Sequence, residues 1–195
     1  MDLIVQPSAA DSNIVNTQLV TNYGNDTNMY IGPWAGNRWR AVLSSDFSAL
    51  PDGVIITAAT LSLHVAALYG APEGKSRHIY RLLTDDWTEL GVCWQNRKGG
   101  FAWTNLGGDF TTLDGAAATT FAAAWVDFDV TAQVAYWQGL GKIAHMMLCA
   151  GAEGMDDQQL VTFHTKEHAV VAERPKLTIT YELSTGSSRR RRALC

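Results

Sequence analysis

The sequence predicts an all-β fold, a jelly-roll-like β-sandwich carrying one short helix. Three observations lead there. Apolar and polar residues alternate with period two in clear segments, the pattern of half-buried strands. Turn-forming clusters of Gly, Pro and Asp recur at short intervals between those segments. A helical period is confined to one short stretch.

Taken in order, the first expected strands are residues 29–31 and 40–44, with Gly32-Pro33 as a turn after the first. Pro51-Asp52-Gly53 marks the next turn. In residues 59–66, Leu61, Leu63 and Val65 share one face, and Thr60, Ser62 and His64 share the other. Gly70-Ala71-Pro72 ends that strand. Residues 78–83 form the next strand, Gly107-Gly108-Asp109 a turn, and residues 124–128 a further strand. Val130, Val134 and Trp137 then fall at i, i+4 and i+7. They predict a helix over 130–137, with Asp129 or Thr131 to cap it and Gly139 after its last turn. Strands at 144–150 and 160–164 flank the turn Gly151-Ala152-Glu153-Gly154. Pro175 stands where a strand can begin without losing a ladder hydrogen bond, and 177–183 alternates again.

These elements make one body, residues 1–183. The segment 184–195 is a flexible linker, Ser184-Thr185-Gly186-Ser187-Ser188, and a basic tail. A chain of 195 residues can bury a full core. With 47% hydrophobic and 17% charged residues it does not have the composition of a disordered protein. No apolar run reaches the roughly 18 residues that span a bilayer. The net charge of −4 conceals an asymmetry: without Arg189, Arg190, Arg191 and Arg192, 11 basic residues face 19 acidic ones, a net of −8. The body therefore repels phosphate, and nucleic acid ranks last among partners except through the tail.

Met1-Asp2-Leu3-Ile4-Val5-Gln6-Pro7 has an acid where a secretory leader has basic residues, so no signal peptide is expected. Cys93, Cys149 and Cys195 form no CxxC pair, which argues against a disulfide framework or a zinc site. The first two read as small buried hydrophobes and the third as an exposed thiol. Together these features point to folding in a reducing cytoplasm.

The sequence contains no GxSxG, HExxH, GxGxxG or Walker motif, and nothing else in it argues for an enzyme. His164 and His168 have a metal-ligand spacing only if helical, and 160–164 reads as strand, so a structural or surface role is the stronger reading. Asp85-Asp86 and Asp156-Asp157 could serve calcium, but neither shows an EF-hand pattern. No cofactor is expected otherwise. Of the seven tryptophans, Trp125 and Trp137 read as core, and Trp87 and Trp94 as locally packed. Trp103 and Trp39 are open. Trp34, in Gly32-Pro33-Trp34-Ala35-Gly36-Asn37, is the one most expected to face solvent, where an aromatic face can stack on a sugar or anchor an interface. Trp34 and Trp39 are therefore the candidate glycan or interface contacts.

Several stretches together resemble a DNRLRE domain, a module grouped with carbohydrate-binding modules and disaggregatase-type surface enzymes. They are Asn22-Tyr23-Gly24, Met29-Tyr30-Ile31-Gly32, residues 40–51 and 55–63, and Trp87-Thr88-Glu89 with Val92-Cys93-Trp94-Gln95-Asn96. Trp125 with Phe128-Asp129-Val130-Thr131, Val134, Trp137 and Gly139 continues the match, as do Phe163-His164-Thr165-Lys166-Glu167 and residues 174–181. Ser45, Cys93 and Arg97-Lys98 depart from the family pattern at packing and turn positions. The resemblance spans about residues 4 to 183. It implies a jelly-roll-like sandwich used as a non-catalytic surface module, in some members binding acidic polysaccharide.

Two readings of function follow. In the first, the chain is a structural or adhesive module of an extracellular assembly, a bacteriophage virion protein such as a capsid decoration or a head or tail accessory. Such a protein assembles in the host cytoplasm and leaves by lysis without a leader. Arg189 to Arg192 would dock on an acidic surface of a neighbouring virion protein or sister subunit, through bidentate arginine–carboxylate pairs. In the second, the chain is a carbohydrate-binding module recognising a surface polysaccharide.

Overall fold

One continuous antiparallel ladder builds the sandwich by folding back on itself. The computed structural model describes residues 1–122, 124–154 and 158–184. The strands are β1 (Asp2–Val5), β2 (Ala10–Val15), β3 (Asn28–Trp34), β4 (Asn37–Asp46), β5 (Val54–Gly70), β6 (Arg77–Leu82) and β7 (Asn96–Lys98). There follow β8 (Phe101–Ala102), β9 (Phe110–Ala118), β10 (Trp125–Asp129), β11 (Ile143–Ala150), β12 (Gln159–His164) and β13 (Lys176–Leu183). Helix α1 (Thr131–Gln138) precedes β11, and a 3₁₀ turn (Val171–Glu173) precedes β13. Neighbours run β1-β13-β5-β12-β3-β4-β11-β6-β9, with β10 added to β5 and β2 to β4; β7 and β8 form a separate small hairpin.

The period-two pattern decides which face is buried. Leu61 and Leu63 of β5, Val126 and Phe128 of β10, and Leu177 and Ile179 of β13 point into one core. Facing them are Ala41 and Leu43 of β4, Met146 and Leu148 of β11, and Ile79 of β6. Met29, Ile31, Val161 and Phe163 carry that core across β3 and β12. Val134 and Trp137 of α1 close it, as the i, i+4, i+7 pattern predicts. The helix is capped differently from a simple N-cap. Asp129 Oδ1 accepts from the Thr131 amide at 3.0 Å, while Thr131 Oγ1 accepts from the Ala59 amide at 2.8 Å and ties the helix to β5.

A second core lies on the far side of the β4–β11 layer. Val42 and Met147, out of phase with their inward neighbours, meet Ile14, Leu82, Trp87, Val92, Trp94 and Trp103. The last four come from residues 83–109, which cap this face. Arg40 fastens the cap: Glu153 grips its guanidinium at 2.9 and 2.6 Å, and its Nη1 donates to the Gly107 carbonyl at 2.7 Å. Burial on both faces explains why 144–150 is a nearly unbroken apolar run. Cys93 and Cys149 are both buried and free, as expected, and burial pushes the Cys149 thiol up to about 12.

Some expectations are corrected. Gly32-Pro33 is not a turn; β3 runs through it to Trp34, and the chain reverses at Ala35 and Gly36, both with positive φ. β5 is far longer than residues 59–66, because β13, β12 and β10 all pair along it. Trp87 and Trp94 belong to the second core rather than to a local cluster, and Trp103, left open by the sequence, joins them there. Trp125 is half-buried on the outer face instead of in the core. β1, β2 and β9 were not expected at all. Residues 185–195, with Arg189 to Arg192 and Cys195, lie outside the described residues, so the two-region division is left as an expectation.

If residues 83–109 cover a true second core, Trp103→Ala lowers the unfolding free energy by about 3–5 kcal/mol, read as a fall in the urea midpoint. A loss below about 1 kcal/mol would show the cap to be loosely attached.

Candidate functional site

Five aromatic side chains gather in two groups around β3, the start of β4 and the end of β5. Alternation along β3 puts Asn28, Tyr30 and Trp34 on the side opposite the buried Met29 and Ile31. Register then aligns Trp39 with Gly32, Tyr30 with Thr162, and Leu160 with Tyr69. Trp39 lies between two tyrosines, with ring centroids 5.8 Å from Tyr23 and 5.1 Å from Tyr30. Trp34 meets Tyr69 at 5.6 Å. Tyr30 and Trp34 both lie on β3, so the two groups are neighbours along one strand. Trp34, Trp39, Tyr23 and Tyr30 are half-buried, and Tyr69 is 43% exposed.

This face is polar at one edge. The Asp26 carboxyl, raised above the usual carboxylate range by burial, faces Tyr23 and Tyr30; burial first, and then that carboxylate, pushes both phenols up. Glycine makes the close packing possible: at Gly70, with positive φ, an added Cβ would lie 1.9 Å from the Gln158 carbonyl oxygen and 3.1 Å from the Trp34 ring. The concave pockets lie elsewhere. One of about 370 Å³ is lined by Leu83, Thr84, Arg97, Thr104, Asn105 and Asp109; another of about 450 Å³ lies between β9 and α1. Neither is lined by an aromatic residue.

The two candidate contacts, Trp34 and Trp39, are both half-buried and lie in separate aromatic groups. The sequence reading left out Tyr23, Tyr30 and Tyr69. The signal for Tyr30 was its alternation with Met29 and Ile31; Tyr69 had none, because the expected strand stopped before it.

Carbohydrate-binding module family 96 matches residues 4–181. The chain belongs to that family. Comparison with curated proteins gives no match. The family is one of non-catalytic binding modules, in agreement with the expectation that the chain is not an enzyme. The match supports the carbohydrate-binding side of the resemblance; the DNRLRE name and a phage origin draw no support from it. Among the described residues no helix is long and apolar enough to cross a membrane.

This family member holds two groups of side chains with ligand atoms within 4.8 Å of one another: Asp11, Glu89 and Glu167, and His64, His164 and Glu173. In the first the chain supplies its own cation, since the Lys166 ammonium lies 3.1 Å from Glu89 and 2.6 Å from Glu167. Of the acidic pairs considered for calcium, Asp86 is paired with Arg97 and Lys98. Asp156-Asp157 lies outside the described residues. His145 is structural: its Nδ1 accepts from the buried Trp87 indole at 2.9 Å, and burial lowers its pKa.

Asp11 is 1% exposed, and its Oδ2 accepts from Ser8 Oγ at 2.6 Å and from the Lys166 amide at 3.0 Å. Burial nevertheless raises its pKa to about 7, with Glu167 and Glu89 adding to the shift. The folded chain thus holds this proton to higher pH than the unfolded chain. The stabilisation is complete below the ordinary carboxylate range and is lost as pH rises through about 7. Asp11→Asn removes this dependence. Urea unfolding in EDTA between roughly pH 4.5 and 8 then shows the variant gaining on the parent as pH rises. A constant difference would mean that Asp11 titrates as an ordinary carboxylate.

Proposed function

We propose that the outer aromatic face binds a polysaccharide chain, with Trp39 between Tyr23 and Tyr30 as one platform and Trp34 with Tyr69 as the next. The observation that carries this reading is the gathering of five aromatic rings in two groups along β3 in a member of a carbohydrate-binding family. The apolar faces of sugar rings stack on such side chains, and phenol or carboxyl groups beside them hydrogen-bond the equatorial hydroxyls. Asp26 and the three tyrosines supply those groups. An open face suits the interior of a long chain, whereas a closed pocket suits a chain end. With its body at −8, the protein favours a neutral polysaccharide over an anionic one. The virion reading, whose docking residues Arg189 to Arg192 lie outside the described residues, draws no support from the family match.

A glycan array with the full chain, followed by affinity electrophoresis on the glycans it selects, tests the assignment. Trp39→Ala and Trp34→Ala each weaken binding by at least about tenfold, as expected of central aromatic anchors. Phe101→Ala, which removes the 53% exposed aromatic of the β7–β8 hairpin, leaves it unchanged. Glycan binding that survives loss of both tryptophans would move the site off this face.

A further inference from the structure

Three of the five histidines converge where β5 and β12 run side by side. The rings of His64 and His164 stack at 5.2 Å, and those of His164 and His168 at 3.5 Å. No helix is needed to bring His164 and His168 together. The turn after β12 does so, with the His168 amide donating to the Thr165 carbonyl at 3.2 Å and Arg174 Nε donating to the His168 carbonyl at 2.8 Å. The same connection delivers Glu173, whose Oε2 is 3.1 Å from His168 Nε2 and 3.5 Å from His164 Nε2.

The hydrogen bonding of His164 leaves one contact unexplained. Its Nδ1 lies 3.1 Å from Asn28 Oδ1, an acceptor, so Nδ1 carries the ring hydrogen. In the neutral ring Nε2 is then a lone pair directed at the Glu173 carboxylate, and two acceptors do not attract. Either a proton on Nε2 or a metal ion between the two resolves the conflict. A second sign comes from His64, whose Nδ1 is shielded from solvent and has no hydrogen-bond partner among the described residues.

We propose that His64, His164 and Glu173 form a site for a divalent transition metal, zinc by its ligand chemistry, with His168 beside it as a further donor. Imidazole nitrogens with one carboxylate suit zinc and do not suit calcium or magnesium, which take oxygen ligands. The Asn28 contact is the outer hydrogen bond that orients a metal-bound imidazole and fixes its tautomer. The ion joins β5, β12 and the segment entering β13. On the ladder His164 pairs with Asn28, two residues from the Thr162–Tyr30 pair, so the site borders the aromatic face. It does not depend on what that face binds.

The test uses the full chain without a polyhistidine tag, stripped of metal with EDTA and titrated with zinc chloride by calorimetry. One equivalent binds and the thermal midpoint rises. His164→Gln and His64→Gln each weaken zinc binding by more than about tenfold, and Asn28→Ala by about tenfold, the effect of losing an outer-shell partner. Cobalt(II), used as a spectroscopic stand-in, gives the visible bands of a low-coordinate nitrogen–oxygen site in the parent, and they vanish in His164→Gln. Far-UV circular dichroism in EDTA shows that the variants keep the fold. Absence of saturable zinc uptake overturns the proposal, as does equal uptake by the His64→Gln/His164→Gln double variant.

Discussion

Arg77 is 1% exposed and has no carboxylate partner among the described residues. Carbonyl oxygens surround it instead. Nε donates to Ile31 of β3 at 3.1 Å, Nη2 to the backbone of Gln159 of β12 at 2.6 Å, and Nη1 to Lys75, Ser76 and the Gln159 side chain. Its guanidinium also lies 5.6 Å from the Phe121 ring. Loss of hydration pulls its pKa down to about 10, still high enough to keep the charge at neutral pH. One guanidinium thus ties the start of β6, which carries it, to β3 and β12. The backbone follows from this. Gly32 has φ of 124°, and a Cβ there would lie 2.3 Å from the Gln159 carbonyl oxygen and 3.1 Å from Arg77 Nη2. Across the ladder Trp39 pairs with Gly32 itself and Trp34 with Asn37, so the aromatic groups are built beside the arginine.

The two layers of the sandwich divide the remaining work. Beneath the cap of residues 83–109, β4 and β11 are buried on both sides, and their outward side chains are Val42 and Met147. Beyond the cap, Tyr30 and Trp34 of β3 are half-buried and Tyr69 at the end of β5 is exposed, while Leu160 and Thr162 of β12 between them are buried. β4 crosses from one regime to the other, changing from half-buried at residues 37–40 to fully buried at 41–45. Trp39 falls just on the open side of that change, and Arg40, gripped by Glu153, marks its edge. The position of the cap therefore sets where a ligand can reach the sheet.

The fold was legible because each strand with one wet face alternates, as in Leu61-Ser62-Leu63 and Leu177-Thr178-Ile179. β9 escaped because Asp114-Gly115 inside it reads as a turn, while its alanines give no contrast between faces. β2 escaped for the opposite reason. Its Asp11, Ser12 and Asn13 are polar and buried; Asp11 Oδ2 accepts from Ser8, and Asn13 bonds the Asn28 carbonyl and the Tyr30 amide, contacts that no local pattern encodes. The tryptophans show the same limit at the site. Trp39 and Trp103 were equally open from sequence, and only the chain distant from each decides that one is half-buried and the other is sealed. The histidine spacing was visible, but a turn rather than a helix gives it meaning.

The aromatic face also has a physical coherence that its separate residues lack. Each ring already touches another, so most of its rotamer freedom is spent in folding rather than in binding, and a ligand meets a surface organised beforehand. Trp39 is central to this economy. It contacts both Tyr23 and Tyr30, whereas Trp34 contacts Tyr69 among the rings. Removing Trp39 releases two neighbours as well as one platform, so the effects of the five rings on binding cannot be additive. Coupling of that kind distinguishes a built face from a scatter of exposed aromatics, because scattered rings would contribute independently.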